Sequence, residues 1–196
     1  MRLQISLVLA ALAISPVMFA QPNATADTPF QVRYAANLNI GDSVINITNT
    51  GTIGGNICAN VYTFSPDEQL ISCCSCTVTP NALVSLSVNG DLVSNTLTPA
   101  HPTSVVVKLL STTGGACNAS APGALATGLA AWGTTLHQSS AVAGGVYGTE
   151  SAFTPSSLGG AELARISALC GFIQANGSGF GICRSCRLGG LGAVSQ

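Results

Sequence analysis

The sequence predicts a mainly β protein. We expect an antiparallel β-sandwich of the immunoglobulin-like class, followed by one C-terminal helix and a glycine-rich tail tethered by disulfides. Short segments with β-branched and alternating apolar residues recur between turn residues in most of the chain. The apolar spacing then changes to that of a helix near the C-terminus. All eight cysteines follow a leader of the secretory type, which favours disulfides over free thiols.

Composition limits the classes of function. The chain has 196 residues, of which 47% are hydrophobic, and this suffices for one substantial core. Only 7% are charged and the formal net charge is -1, so no basic surface is available for sequence-independent binding of nucleic acid. High hydrophobicity with low net charge also argues against intrinsic disorder.

Residues 1–20 are predicted to be a signal peptide. Arg2 provides a positive start, an apolar run extends from Ile5 to Ile14, and Ala20 is a small residue at the expected cleavage point. The run is short for an uncleaved membrane anchor, and no later run is long enough to span. We therefore expect no transmembrane anchor after cleavage and a secreted protein, extracellular or periplasmic. Residues 21–28 are polar and are expected to be a flexible N-terminus.

The β-sandwich domain is predicted over residues 29–155. Turn residues such as Asn49-Thr50-Gly51 and Ser65-Pro66-Asp67-Glu68 separate the strands, and Asn89-Gly90 is typical of a tight hairpin turn. The first six predicted strands are 31–35, 42–48, 57–64, 69–78, 81–88 and 104–111. Residues 112–128 are predicted to form a long loop tethered by Cys117. Segments 131–137 and 146–153 are predicted to pair as a hairpin.

The C-terminal region, residues 156–196, is predicted to hold one helix and a cysteine-rich tail. Leu163, Ile166, Leu169, Cys170 and Ile173 recur at helical spacing. Asn176-Gly177 supplies a stop signal, so the helix is expected at about 160–175. The glycine-rich tail that follows has only its cysteines to hold it.

The cysteines are predicted to form up to four disulfides. Adjacent Cys73 and Cys74 point to opposite faces of an extended strand and should have different partners. Either Cys73 or Cys76 could reach Cys58 across neighbouring strands, and the last three cysteines are expected to share at least one bridge. The disulfide candidates are Cys58, Cys73, Cys74, Cys76, Cys117, Cys170, Cys183 and Cys186.

Two functional alternatives use the same cysteines. The Cys73-x-x-Cys76 and Cys183-x-x-Cys186 pairs could together supply four thiolates to zinc, although their separation is unlike that of a zinc ribbon. Cys183 and Cys186, flanked by Arg184 and Arg187, could instead form a redox-active pair with a lowered thiol pKa. Structural disulfides are the preferred interpretation, and no metal or cofactor is expected.

No catalytic residue is assigned. His101 lies in a proline-rich turn and His137 ends a predicted strand, and no G-x-S-x-G, H-E-x-x-H or Walker motif occurs. Asp67 and Glu68 are expected to be solvated in their turn. Glu150, near Trp132 on the paired strand, is compatible with sugar binding, because a carboxylate beside a tryptophan can mark such a site.

The single lysine and the glycosylation triplets are weaker signals. Lys108 is expected to point outward from its strand; the alternative is an isopeptide bond to an asparagine, as in sandwich-type adhesins. The N-x-[ST] triplets matter only in a host that glycosylates them. They begin at Asn23, Asn46, Asn118 and Asn176.

Three segments carry a resemblance. The runs NVYTFSPDEQLISCCSC, TPNALVSLSVNGDLVSNTLTP and CGFIQANGSGFGICRSCRLGGLG resemble a group of uncharacterised secreted bacterial proteins over most of the mature chain. The resemblance implies export and carries no activity.

Taken together, the sequence predicts a secreted, non-enzymatic structural or interaction protein of the cell envelope or extracellular space. Its partner is expected to be a second copy or another envelope or extracellular component. A secreted glycan- or metal-binding module is the alternative, followed by a thiol-disulfide redox protein.

Overall fold

The computed structural model describes residues 27–99, 101–113 and 116–184, together with the backbone of 187–188. This part of the chain forms eleven strands and one α-helix. The strands are β1 (Phe30–Ala35), β2 (Val44–Asn49), β3 (Ile57–Phe64), β4 (Leu70–Val78), β5 (Leu83–Ser87), β6 (Val105–Thr113), β7 (Ala124–Leu125), β8 (Leu129–Gln138), β9 (Val146–Ala152), β10 (Thr154–Pro155) and β11 (Arg187–Leu188), and the helix is α1 (Gly160–Ala175).

The strands form two antiparallel sheets that pack together, with α1 following them near the C-terminus. Sheet A has the order β10-β1-β6-β3-β4, with β7 pairing to β6. Sheet B has the order β11-β5-β2-β8-β9. The predicted mainly β fold with one C-terminal helix is confirmed at this level.

The main core lies between the two sheets. Alternate residues of each strand face it, because side chains in a strand point to opposite faces. On sheet A these include Val61 and Leu109, and on sheet B they include Ile45 and Leu86, all fully buried. Two cysteines of β4, Cys74 and Cys76, face the same core.

A second apolar cluster lies on the outer face of sheet A, beneath α1. The helix contributes Ile166, Cys170 and Ile173, whose spacing of three and four residues places them on one face. They pack with side chains from β3 and β6, including Tyr62 and Leu110. Because both of its faces are covered, β3 is buried at all eight positions.

The predicted strands and the helix agree closely with the structure. Segment 57–64 is β3, the hairpin 131–137 with 146–153 is the β8–β9 pair, and the predicted helix has the bounds of α1. The segment 112–128 is mostly loop, as predicted, but it contains the two-residue strand β7.

The predicted hairpin turn at Asn89-Gly90 is wrong. Val88–Leu92 is a short π-helical turn closed by a 2.9 Å bond from the Val93 N–H to the Val88 carbonyl. The Ser87 hydroxyl accepts the Gly90 N–H, and the buried Asp91 carboxylate accepts the Ser87 N–H. These two side chains satisfy backbone N–H groups of the helical turn. The chain leaves sheet B at this turn and continues into sheet A.

The C-terminal segment covers one side of the sandwich. The Cys73 N–H donates to the Gly181 carbonyl and the Cys183 N–H donates to the Cys73 carbonyl, so residues 181–183 run along the edge of β4. Further on, β11 pairs with β5 at the edge of sheet B. Gly181 has a φ of 77°, and a Cβ there would lie 2.8 Å from Ile173 Cγ2, so the crossing requires glycine.

The predicted signal peptide and residues 21–26 lie outside the described residues. Asp27 lies at the start of the described chain, where its carboxylate accepts the Gly128 N–H. Across the ranges that the structure describes, no helix combines the length and the apolarity needed to cross a membrane.

Candidate interaction surfaces

Three disulfides between described residues tie distant parts of the chain together. Cys58 bonds to Cys117, Cys73 to Cys170, and Cys74 to Cys183. The expectation that Cys73 and Cys74 serve different partners is confirmed: Cys73 faces the helix and Cys74 faces the core between the sheets. Cys58 anchors the loop that follows β6, so the predicted tether at Cys117 is also confirmed.

Two details of the predicted pairing are wrong. Cys58 does not bond to Cys73 or Cys76, because it lies on the outer face of sheet A and meets the loop cysteine there. A bridge within the C-terminal group is excluded as well, since Cys170 and Cys183 both bond to β4. Cys76 is disulfide-bonded too, and Cys186 lies outside the described residues.

The bonded sulfurs contradict both cysteine-based alternatives. A four-thiolate zinc site needs Cys73 and Cys183 as thiolates, but each is bonded to a different cysteine. A Cys183-x-x-Cys186 redox pair would need a bridge within the motif, whereas Cys183 bonds to Cys74. Among the described residues, no group of three or more histidine, cysteine or acidic side chains is placed to hold a metal ion.

Lys108 lies under the helix and does not point into solvent. Its Nζ is 2.6 Å from Glu162 Oε1 and 4.6 Å from the centre of the Phe64 ring. Arg165 bonds the other oxygen of Glu162 at 2.8 Å. The bond from Arg165, with help from Lys108, lowers the pKa of Glu162 to about 2. Lys108 therefore lies on the outer face of its strand, as expected, but α1 partly covers that face, and the structure pairs Lys108 with a carboxylate and not with an asparagine.

Arg33 joins the two sheets. Its guanidinium donates from Nη2 to the Gly133 carbonyl at 2.7 Å and to Thr135 Oγ1 at 2.9 Å, both on β8. A Cβ on Gly133 would lie 2.8 Å from Arg33 Nη1, so glycine makes room for the guanidinium. Burial lowers the pKa of Arg33, and the charge of Glu150 acts in the opposite direction.

The histidines and the turn carboxylate, none of which was assigned a catalytic role, are dispersed over the molecule. His101 is exposed and its Nδ1 contacts the Val93 carbonyl at 3.0 Å. His137 contacts Thr149 Oγ1 at 2.9 Å. Asp67 bonds to Ser65 and Gln69 within its own exposed turn. The structure does not bring these side chains together.

The outer face of sheet B carries the predicted Trp132 and Glu150. Trp132 pairs with Ala152 and Thr134 pairs with Glu150, so the two predicted residues occupy neighbouring rows of one face. Asn46 lies beside Trp132 and accepts a hydrogen bond from Ser85. We call this surface the open face, defined by Asn46, Ser85, Trp132, Thr134 and Glu150. Its side chains are mostly short and uncharged, and Glu150 is its one acidic member.

A cleft lies at the end of the β8–β9 hairpin. It encloses about 350 Å³ and is lined by polar side chains and one isoleucine. The His137 and Tyr147 rings stack with their centres 5.3 Å apart, and Asn37 Nδ2 donates to the Leu136 carbonyl at 2.9 Å. We call this the end cleft; its lining residues are Asn37, Asn39, Ile40, His137, Gln138 and Tyr147.

The glycosylation triplets fall in different environments. Asn46 is engaged in the open face by Ser85. Asn118 is exposed but bonds to Gln174 on the helix, and Asn176 ends the helix. Asn23 lies outside the described residues. Modification of these positions stays a prediction.

Sequence reasoning missed Arg33, Glu162 and Tyr147 as organising residues. The alternation over residues 31–35 did not indicate this role, because polar Gln31 and Arg33 would ordinarily face solvent. In the structure both side chains face sheet B. Glu162 and Arg165 stand three residues apart in the helix, which is an ion-pair signal. Tyr147 could have been noticed as an aromatic side chain in a strand that pairs with His137.

Comparison with known proteins adds no relative, since neither a family model, nor a curated protein, nor a solved structure matches this chain.

Proposed function

We propose that this chain is a secreted, disulfide-stabilised structural or interaction protein of the cell envelope or extracellular space, acting without catalysis. The observation that carries the proposal is the open face, a partly exposed sheet surface of mostly short, uncharged side chains on a cross-linked body. Glu150 is exposed, Asn46, Trp132 and Thr134 are half-buried, and Ser85 is buried at its edge. Disulfides are typical of oxidising, exported environments. Resemblance to immunoglobulin-like sandwiches and to exported bacterial proteins stays a prediction within this proposal.

Such a surface suits packed contacts. Short hydroxyl and amide side chains lose little conformational entropy when a partner covers them. Low net charge weakens repulsion between like molecules. Asn46 is already held by Ser85, so part of this surface is ordered before any partner arrives.

The proposal is tested by recruitment of the secreted protein to the envelope of its native host. Ala130 lies half-buried on the open face and Ala168 lies exposed on α1, so they form a matched pair for substitution by lysine. We expect Ala130→Lys to reduce the envelope-bound fraction several-fold and Ala168→Lys to leave it unchanged. Equal recruitment of both variants, or native protein recovered in the cytosol with reduced thiols, would contradict the proposal.

A second candidate is glycan binding, and the end cleft favours it. An exposed tyrosine beside amide side chains and a histidine offers a stacking surface and several hydrogen-bond groups to a neutral sugar. The test is a glycan array with Tyr147→Ala, using Val142→Ala as the control because Val142 is also exposed. Binding that is lost in the Tyr147 variant and kept in the control supports this candidate; no binding by the native protein removes it.

A further inference from the structure

Three edges of the sandwich are covered by other parts of the chain. Residues 181–183 run along β4, β11 pairs with β5, and β10 pairs with β1 at Gln31 and Val32. The remaining edge belongs to β9. Within the described ranges, no strand pairs with the side of β9 that faces away from β8.

The hydrogen bonds to β8 show which backbone groups of β9 face outward. The Phe153 N–H donates to the Ala131 carbonyl and the Gly145 carbonyl accepts the Ser139 N–H, so odd-numbered residues face β8. The register from Trp132↔Ala152 to Gln138↔Val146 is unbroken. The outward N–H and C=O groups therefore belong to the four even-numbered residues, Val146, Gly148, Glu150 and Ala152.

The β9 edge has few of the features that usually prevent edge-to-edge pairing. Proteins protect exposed edges with charged side chains, especially lysine, with proline or with a bulge. The sequence of β9, VYGTESA, has one charged residue, Glu150, but no proline or lysine, and its register has no bulge. All seven residues are exposed, and Val146 and Tyr147 each keep 53% of their surface accessible.

We propose that the β9 edge pairs antiparallel with β9 of a second copy of this chain, about a two-fold axis at Thr149. In this register Gly148 lies opposite Glu150 of the second copy, and Val146 lies opposite Ala152. All four outward-facing residues of each strand gain both backbone hydrogen bonds. The inference rests on the proposed function and names its partner.

Charge and strand length select this register over its neighbours. A two-fold axis at Glu150 would place two carboxylates opposite each other, which is unfavourable across a strand pair. An axis at Gly148 would leave Ala152 opposite residue 144, beyond the end of β9. The axis at Thr149 avoids both, and it joins the two copies of sheet B with their open faces on the same side.

The test is sedimentation velocity of the mature, oxidised protein over a concentration series, with substitutions at Gly148. A Cβ at Gly148 meets only Leu136 Cδ2, at 3.7 Å, so a side chain fits. We expect Gly148→Lys, placed opposite Glu150, to tighten the dimer. Gly148→Glu should weaken it, and the two dissociation constants should differ at least tenfold in low salt and converge in high salt.

Gly148→Pro removes an N–H from the β9 edge without removing one that faces β8. It should raise the dissociation constant at least tenfold, whereas Gly148→Ala should match the native protein. Circular dichroism and the midpoint of thermal unfolding report whether each variant is folded. If the proline variant is unfolded, the comparison of the Lys and Glu variants alone tests the proposed dimer.

A native protein that stays monomeric at the highest concentration overturns this inference, as does a dimer whose dissociation constant is the same with Lys, Glu or Pro at position 148 as with Gly. Neither result touches the proposed function, because envelope recruitment is measured with Ala130 and Ala168, which lie outside β9.

Discussion

The two outer faces of the sandwich differ in whether another element covers them. The outer face of sheet A is covered by α1 over a second apolar cluster that includes Tyr62, Leu110 and Ile166. The outer face of sheet B is not covered by α1 and is built from short polar side chains around Trp132. The difference is visible in single strands: β3 of sheet A is buried throughout, whereas β2 of sheet B alternates between half-buried and buried positions. An alternating apolar and polar pattern along a strand therefore predicts one buried face and one solvent-facing face only where no other element packs on the outer face of the sheet.

The largest test of this difference is a matched pair of apolar deletions, one on each outer face. Ile166 is fully buried on the face of α1 that packs on sheet A, so Ile166→Ala should lower the free energy of unfolding by about 4 kcal/mol. Val146 is more than half exposed on β9, and Val146→Ala should change it by less than about 0.5 kcal/mol. Chemical denaturation measures both, and similar losses would show that the two faces are not different in kind.

The next largest effect comes from releasing the helix with Cys73→Ser and Cys170→Ser together. Cys73 and Cys74 are adjacent, so the remaining Cys74–Cys183 bond still closes nearly the same long loop in the unfolded chain. The Cys73–Cys170 bond therefore adds only the closure of the short loop between Cys170 and Cys183. The expected loss is about 3 kcal/mol. Hydrogen exchange should rise in α1 and stay low in β9's neighbour β8. Removing Cys58–Cys117 is the control, and faster exchange of α1 there would contradict a local tether.

A smaller effect is expected from the polar connection between the sheets. Arg33→Leu removes the donors to Gly133 and Thr135 and leaves buried acceptors without their partner. The free energy of unfolding should fall by about 2 kcal/mol. Gln31→Leu is a control on the same strand. The neutral Gln31 amide donates to the Leu129 carbonyl at 2.8 Å and more weakly to the Thr28 carbonyl at 3.4 Å, so its loss should cost less. A larger loss for Gln31→Leu would mean that Arg33 does not organise this contact.

The smallest effect concerns pH. The pKa of Glu162 is lowered from 4.5 to about 2 by Arg165 and Lys108, so its stabilising contribution is complete above pH 4.5. It is lost as the pH falls from 4.5 through about 2, and below that range the carboxylate is protonated in both states. Since Glu162 is part-exposed and screened by solvent, we expect less than about 1 kcal/mol.

Glu162→Gln should flatten the decline of stability between pH 4.5 and 2. Parallel curves for the native protein and the Glu162 variant would contradict the assignment.

The sequence was sufficient to predict the strands and the helix, but not which faces of the sheets are covered. Residues 57–64 predict a strand because β-branched and aromatic residues dominate them, and the helix follows from the spacing of Ile166, Cys170 and Ile173. Nothing local shows that both faces of that strand are buried, since burial of the second face depends on a helix about a hundred residues later. The role of Arg33 could not be predicted for the same reason, because its hydrogen-bond partners lie on β8, about a hundred residues later in the chain.

Disulfide pairing was predictable only in part. The opposite orientations of Cys73 and Cys74 follow from strand geometry alone, and the structure bears them out. Their partners depend on where the C-terminal segment crosses the sheets, which no local pattern encodes. The open face was partly predictable, since Trp132 and Glu150 lie on paired strands, but the end cleft needs the loop at Asn37 to close it.

The two adjacent cysteines of β4 also impose an order of assembly. In a chain translocated from its N-terminus, Cys73 and Cys74 emerge well before Cys170 and Cys183, their partners in the finished protein. Both sulfurs must stay reduced, or be held in exchangeable bonds, until the last part of the chain arrives. In a protein exported as proposed, the native bonds of Cys73 and Cys74 can therefore form only after the C-terminal region has arrived.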